Sequence, residues 1–233
     1  MNLDPNISPT SDTAFTDTLQ RLSLLSAQIP SPSQRYQAHR LASSLLHLHS
    51  SSEVKLAYIK DTLEHCPYDN LKGSAVGWIK DEILAANDQS GENESGIFAS
   101  ADLFDILGDW LWGDRVGVPM YTAGQSLNDQ SDEFAQLQNL APFYLGVLNL
   151  LFLLLSNKAL YERYGMAELV GTIKNEFLDP LLAASKGFEK ALGGPDSGDD
   201  EEEERIRKAR VAEMQLLAMN VTQVVGAIES RTR

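Results

Sequence analysis

Residues 35–84 read RYQAHRLASSLLHLHSSSEVKLAYIKDTLEHCPYDNLKGSAVGWIKDEIL. Apolar residues recur here every three or four positions, which is the spacing of one helix face. Pro32, just upstream, opens a helix at its first turn, where a missing N–H costs nothing. That helix runs to about Leu48, with Ala38, Leu41, Ala42, Leu45 and Leu48 expected on one side. Ser50 precedes Glu53 by three residues, the spacing of a capping box, and predicts a further helix with Leu56, Ile59 and Leu63 inward. Pro67 ends it, because the residue before proline is pushed out of the helical region. Asp69 or Asn70 then caps a helix whose inward face is Leu71, Ala75, Trp78, Ile79 and Ile83.

The same pattern extends to both sides. Phe15, Leu19, Leu22 and Leu25 predict a helix over 12–29, stopped by Pro30 and Pro32. After a polar loop at 87–96, Ser100 caps a helix with Leu103, Phe104, Leu107, Trp110 and Leu111 inward, and Gly113 stands where a stop belongs. An irregular stretch over 114–129 follows, and a helical run resumes near Ser131. Pro142 either kinks that run or divides it. Further helices are expected over 166–177, 180–192 and from 201 onward. In the last, Glu201, Glu203 and Glu204 precede Arg205, Arg207 and Lys208 by four residues, the favourable ion-pair order. Its apolar side is Met214, Leu217, Ala218, Val221, Val225 and Ile228.

No segment alternates with period two. The expected fold class is therefore all-α: stacked antiparallel helix pairs of roughly 40 residues, as in a HEAT- or armadillo-like solenoid, or an irregular helical bundle. The expected organisation is a disordered N-terminus (1–10), a helical repeat-like domain (11–192), an acidic disordered linker (193–200) and a C-terminal helix (201–233).

The chain has 233 residues, 33 of them acidic and 19 basic, for a formal net charge of -14. A surface that must neutralise phosphates needs the opposite balance, so nucleic acid is not an expected partner. Part of the excess is local: Asp196, Asp199, Asp200 and Glu201 to Glu204 form a run that is either a solvated linker or a decoy for a basic partner segment. Cys66 is the single cysteine, which fits a reducing compartment. The polar N-terminus lacks the charged and apolar regions of a signal peptide. Leu140 to Leu155 is apolar but shorter than the about 20 residues a span needs, and it reads as a buried core helix, with no membrane partner expected.

Reaction chemistry is not evident. The sequence holds no GxxxxGK[ST], HExxH, GxSxG or paired CxxC pattern. No catalytic, cofactor-binding or metal-ligating residue is assigned. His39, His47 and His49 share one helix but are badly spaced for one ion and read as polar-face histidines. His65–Cys66–Pro67 offers a redox thiol at Cys66 as a lesser alternative to a small buried residue. Lys80, Asp81 and Glu82 read as a solvated charged face or as a docking rim beside an apolar patch. Trp110 and Trp112 cannot both face one core. Trp110 fits the inward stripe, so Trp112 is the expected exposed aromatic and a candidate anchor. Arg205, Lys208 and Arg210 are expected to be satisfied by the preceding glutamates.

The pieces YQAHRL, LAYIKDTLEHCPYDNLK and AVGWIKDEIL, in that order, resemble the glomulin / Yap-binding-protein family, in particular its fungal members. The resemblance implies a helical, HEAT-like scaffold without enzymatic activity or cofactor. Fungal relatives act as cytoplasmic partners of an AP-1-like bZIP transcription factor in the oxidative stress response, and some are linked to kinetochores. The animal relative binds the RING subunit of cullin ubiquitin ligases. The resemblance therefore implies a protein partner, either a bZIP factor or a RING subunit, and a cytoplasmic location with the nucleus as a second compartment. The signature lies well into most members, so the chain corresponds to the C-terminal part of the family pattern. Nothing in the sequence fixes an oligomeric state.

Overall fold

Prolines and hydroxyl caps place the helix ends in the computed structural model, which describes residues 12–88, 96–193 and 201–231. Regular structure among the described residues is helical, without a strand. Two compact units divide at Phe98 and Ala99. The expected disordered N-terminus falls outside the described residues, as do nearly all of the 193–200 linker and most of the 87–96 loop.

The first unit holds α1 (Asp12–Gln28), α2 (Pro32–Leu48), α3 (Ser52–His65) and α4 (Asp69–Asp88). Arg35 locks the α1–α2 turn by donating from Nη1 to the carbonyls of Ile29 (3.0 Å) and Pro30 (3.1 Å). The two helices are antiparallel: the Phe15 ring at the start of α1 meets the His49 ring just past α2, 4.2 Å away. Ser51, one residue later than expected, caps α3 by accepting from the Val54 N–H at 3.2 Å and bonding Glu53 at 2.8 Å. Cys66 N–H donates to Thr62 at 3.3 Å and closes α3 before Pro67.

The expected faces hold in part: Phe15 and Leu19 on α1, Ala38 and Ala42 on α2, and Ile59 and Leu63 on α3 are buried, while several leucines beside them are not. α1 buries Phe15, Leu19, Ser23 and Ser26, while Leu25 is exposed. The serines are tolerated inside because their hydroxyls are satisfied: Tyr58 Oη donates to Ser23 Oγ (2.8 Å) and Ser26 Oγ donates to the Ser23 carbonyl (2.7 Å). α2 buries Ala38, Ala42 and Leu46, leaving Leu41 59% and Leu48 82% exposed. Alanines on that face allow close helix approach, which the larger leucines would prevent. α3 buries Ile59, Thr62, Leu63 and the stem of Lys55, with Leu56 only half-buried. On α4 the expected Leu71, Ala75, Trp78, Ile79 and Ile83 are all buried.

The second unit holds α5 (Asp102–Leu111), α6 (Ser131–Ser156), α7 (Lys158–Arg163), α8 (Met166–Ile173), α9 (Asp179–Leu192) and α10 (Glu201–Arg231). α6 continues through Pro142 without dividing. α7 was not foreseen; Asn157 starts it by accepting from the N–H groups of Ala159 (2.9 Å) and Leu160 (3.3 Å). The helices expected over 166–177 and 180–192 run together through a π turn, Lys174–Leu178, just before Pro180. The wider turn relieves the proline ring of the clash it would meet in a regular α-helix. Lys174 and Asp179, five apart as that wider turn allows, pair at 2.7 Å.

α9 and α10 are antiparallel, since Gln215 reaches Glu189 (2.9 Å) while Arg207 reaches the Leu192 carbonyl (3.5 Å). α6 and α10 are parallel: the Arg210 guanidinium lies over Phe134 at 5.8 Å, Gln138 donates to Glu213 at 3.0 Å, and Arg231 donates to the Leu155 carbonyl at 2.8 Å. The helical run over 128–156 and α10 are each long and apolar enough to cross a membrane by length and composition. Both are longer than the apolar stretch expected over 140–155. Here α6 buries residues from Phe134 to Leu155 against its neighbours, and α10 buries Met214, Leu217, Ala218, Val221, Val224 and Ile228. The irregular stretch before α6 is pinned by Gln130, whose side-chain oxygen accepts from the Thr122 N–H at 2.6 Å. It is also pinned by Tyr121, which lies on Gly187; a Cβ there would sit 2.2 Å from the Tyr121 ring.

Candidate partner-binding surfaces

The charged stretch Lys80–Asp81–Glu82 is split by helix geometry. Consecutive residues point about 100° apart, so the three cannot share one face. Lys80 is half-buried and Asp81 exposed, but Glu82 is only 6% exposed. The Lys55 ammonium donates to both Glu82 carboxylate oxygens, at 3.1 and 2.9 Å, and to the His47 carbonyl at 3.3 Å. The His47 ring holds the same carboxylate through Nδ1 at 2.7 Å, and its Nε2 lies 3.6 Å from Asp81. Glu82 therefore ties α2, α3 and α4 together instead of forming the expected docking rim. A buried carboxylate without such partners would be strongly destabilising.

Trp78 is the apolar counterpart of this clamp. Its Nε1–H donates to Ser43 Oγ at 2.8 Å, with the Tyr58 ring at 5.8 Å and the His39 ring stacked at 6.5 Å. Burial pushes His39 below its ordinary value, and the Asp81 carboxylate opposes the shift. The most recognisable residues of the signature thus serve packing inside the first unit.

The expected roles of the two tryptophans are exchanged. Trp112 is 3% exposed, whereas Trp110 is half-buried with the Arg115 guanidinium 4.8 Å from its ring centre. Trp112 is the residue at which α5 ends (φ −149°, ψ 1°), so helical periodicity no longer aims its side chain. The indole folds back over Gly108, where a Cβ would lie 3.3 Å from Nε1, and against Phe104 at 5.0 Å. Phe104 in turn meets Tyr164 at 5.3 Å, and burial raises that phenol to about 12. Trp112 is a core residue and offers no anchor.

Cys66 is half-buried beside a cleft of about 150 Å³ shared with Ser23, Tyr58, Thr62 and Pro67. Its Sγ lies 3.9 Å from the Tyr68 carbonyl, and the neighbouring His65 ring is at Asp61, 3.1 Å away. No group of three or more metal-ligating side chains is present among the described residues.

Two apolar surfaces stand out instead. On α2, Leu41 and Leu48 with half-buried Leu45 form a stripe turned away from Ala38, Ala42 and Leu46. On the second unit, α6 and α10 border an open groove of about 590 Å³ lined by Ala141, Pro142, Leu145, Ile206, Ala209 and Leu216. Gln138, Arg210 and Glu213 edge it. The sequence signal for this groove is a second apolar stripe on α10, fainter than the one around Val221. Exposed apolar side chains in a groove with a polar edge are the usual composition of a protein-docking surface.

Comparison with known families gives a match over most of the chain. The model described as "Uncharacterised protein family, YAP/Alf4/glomulin" matches residues 1–219. No curated protein and no solved structure shows a match.

Proposed function

Because this chain belongs to the YAP/Alf4/glomulin family, we propose that it is a non-enzymatic adaptor that binds a protein partner in the cytoplasm. The partner in this reading is an AP-1-like bZIP transcription factor of the oxidative stress response. The observation that carries it is the family match over 1–219. The open apolar groove of α6 and α10 supports it by supplying a surface for a protein. A second reading is regulation of a cullin ubiquitin ligase through its RING subunit; the word glomulin in the same family description supports it.

Titration calorimetry with purified components separates the two. The full chain is titrated with the bZIP factor, reduced and after peroxide treatment, and with the RING subunit. Saturable binding to the bZIP factor in at least one redox state, without slowing of ubiquitin-chain synthesis, supports the first reading. Binding to the RING subunit with inhibition of chain synthesis replaces it by the second. Binding to neither removes both.

A further inference from the structure

We propose that the α6–α10 groove docks a basic amphipathic helix of the partner, its apolar face against Ile206, Ala209 and Leu216 and its cationic end against the acidic start of α10. The proposal rests on the protein-binding reading above and assigns it a surface and a partner chemistry.

α10 carries two apolar faces. One is buried against α6 and α9. The other, Ile206, Ala209, Ala212, Leu216 and Met219, recurs in steps of three and four and is exposed. A helix needs one apolar face to pack; a second, outward one is unexplained by folding. The exposed face spans about 20 Å at 1.5 Å per residue, matching three to four turns of a docked helix. Pro142 adds to the opposite wall. Having no N–H, it cannot donate to the Gln138 carbonyl one turn earlier.

Charge selects the occupant. Because α6 and α10 run parallel, with Phe134 beneath Arg210, their first turns lie at the same end of the groove. That end holds Asp132, Glu133 and Glu201 to Glu204. Six carboxylates there face four cations, held by Glu202 on Arg205 (2.8 Å), the Leu192 carbonyl on Arg207 (3.5 Å), Glu204 on Lys208 and the Phe134 ring under Arg210. Asp196, Asp199 and Asp200 precede the run in sequence, and the net charge of -14 repels acidic partners and a second copy of this chain. A helix with apolar residues at i, i+3, i+4 and i+7 and lysines or arginines toward one end complements both properties.

Fluorescence anisotropy of the full chain tests the assignment. The probes are synthetic fluorescein-labelled helices of about 18 residues. Each has a leucine stripe, with lysines clustered at the N-terminal end in one and the C-terminal end in the other. Control probes carry glutamate for lysine, or scramble the stripe. Expected is saturable binding of one lysine probe, weakening as salt rises. Leu216→Glu, which places a charge in the groove, weakens it about tenfold or more. Leu48→Glu, on the exposed stripe of the first unit, leaves it unchanged. The Glu201→Gln/Glu203→Gln pair weakens it a few-fold. Circular dichroism verifies that each variant is folded. No binding by either lysine probe, equal binding of acidic and basic probes, or full affinity in Leu216→Glu overturns the proposal. A dimer that dissociates in Leu216→Glu overturns it in favour of self-association. If the bZIP or RING partner binds Leu216→Glu as well as wild type, the groove assignment fails while the adaptor reading stands. A lysine probe that binds as expected while neither partner binds fails the adaptor reading alone.

Discussion

Replacing Lys55 by methionine strands the Glu82 carboxylate in a site that is 6% exposed, with His47 as its remaining close partner. The expected loss is on the order of 3 kcal/mol, read from the urea midpoint, and Lys55→Met with Glu82→Leu recovers most of it. Trp112→Ala removes a buried indole and costs about 3 kcal/mol or more, whereas Trp110→Ala costs about 1 kcal/mol or less. His39 supplies a pH dependence. Its folded pKa lies below the ordinary 6.5; the unfolded chain therefore takes up the proton first. Stability is full above the unfolded value and declines as pH falls from there toward the folded one. The melting midpoint should drop over that window, and His39→Gln should flatten the drop. None of these pairings was legible beforehand, because Lys55 and Glu82 meet from different helices and Trp112 sits where helical periodicity has ended.

Helix existence and boundaries, by contrast, were largely written in the chain. Pro30, Pro32 and Pro67 end or open helices within a residue or two of where their chemistry requires. Faces were harder. On α2 the expected Ala38 and Ala42 are buried but Leu41 and Leu48 are not, since the alanines permit closer contact than the leucines. α7 escaped notice because its six residues are too few to show a period, although Asn157 was a readable cap. Within α6, Pro142 leaves one rung of the hydrogen-bond ladder empty. Pro142→Ala restores a donor to the Gln138 carbonyl and is expected to stabilise the protein by about 1 kcal/mol or more, visible as a higher melting midpoint.

Across the whole molecule the excess of acid is the dominant long-range feature. With a net charge of -14, the folded chain repels itself, and added salt screens that repulsion. The melting midpoint should therefore rise between about 0.01 and 0.2 M sodium chloride; a fall would mean that exposed ion pairs such as Arg205–Glu202 and Lys174–Asp179 outweigh the repulsion. The helical class and the family were both legible in residues 35–84, because the signature sits in the packing of α2, α3 and α4. The α6–α10 groove was not, since it depends on two helices far apart in sequence meeting side by side. The seat of Tyr121 on Gly187 has a consequence for biosynthesis. The segment between α5 and α6 leaves the ribosome well before the helix that receives its aromatic ring. Until α9 has emerged and docked, that tyrosine has no place to settle, so nascent chains expose it for as long as translation of the intervening helices takes.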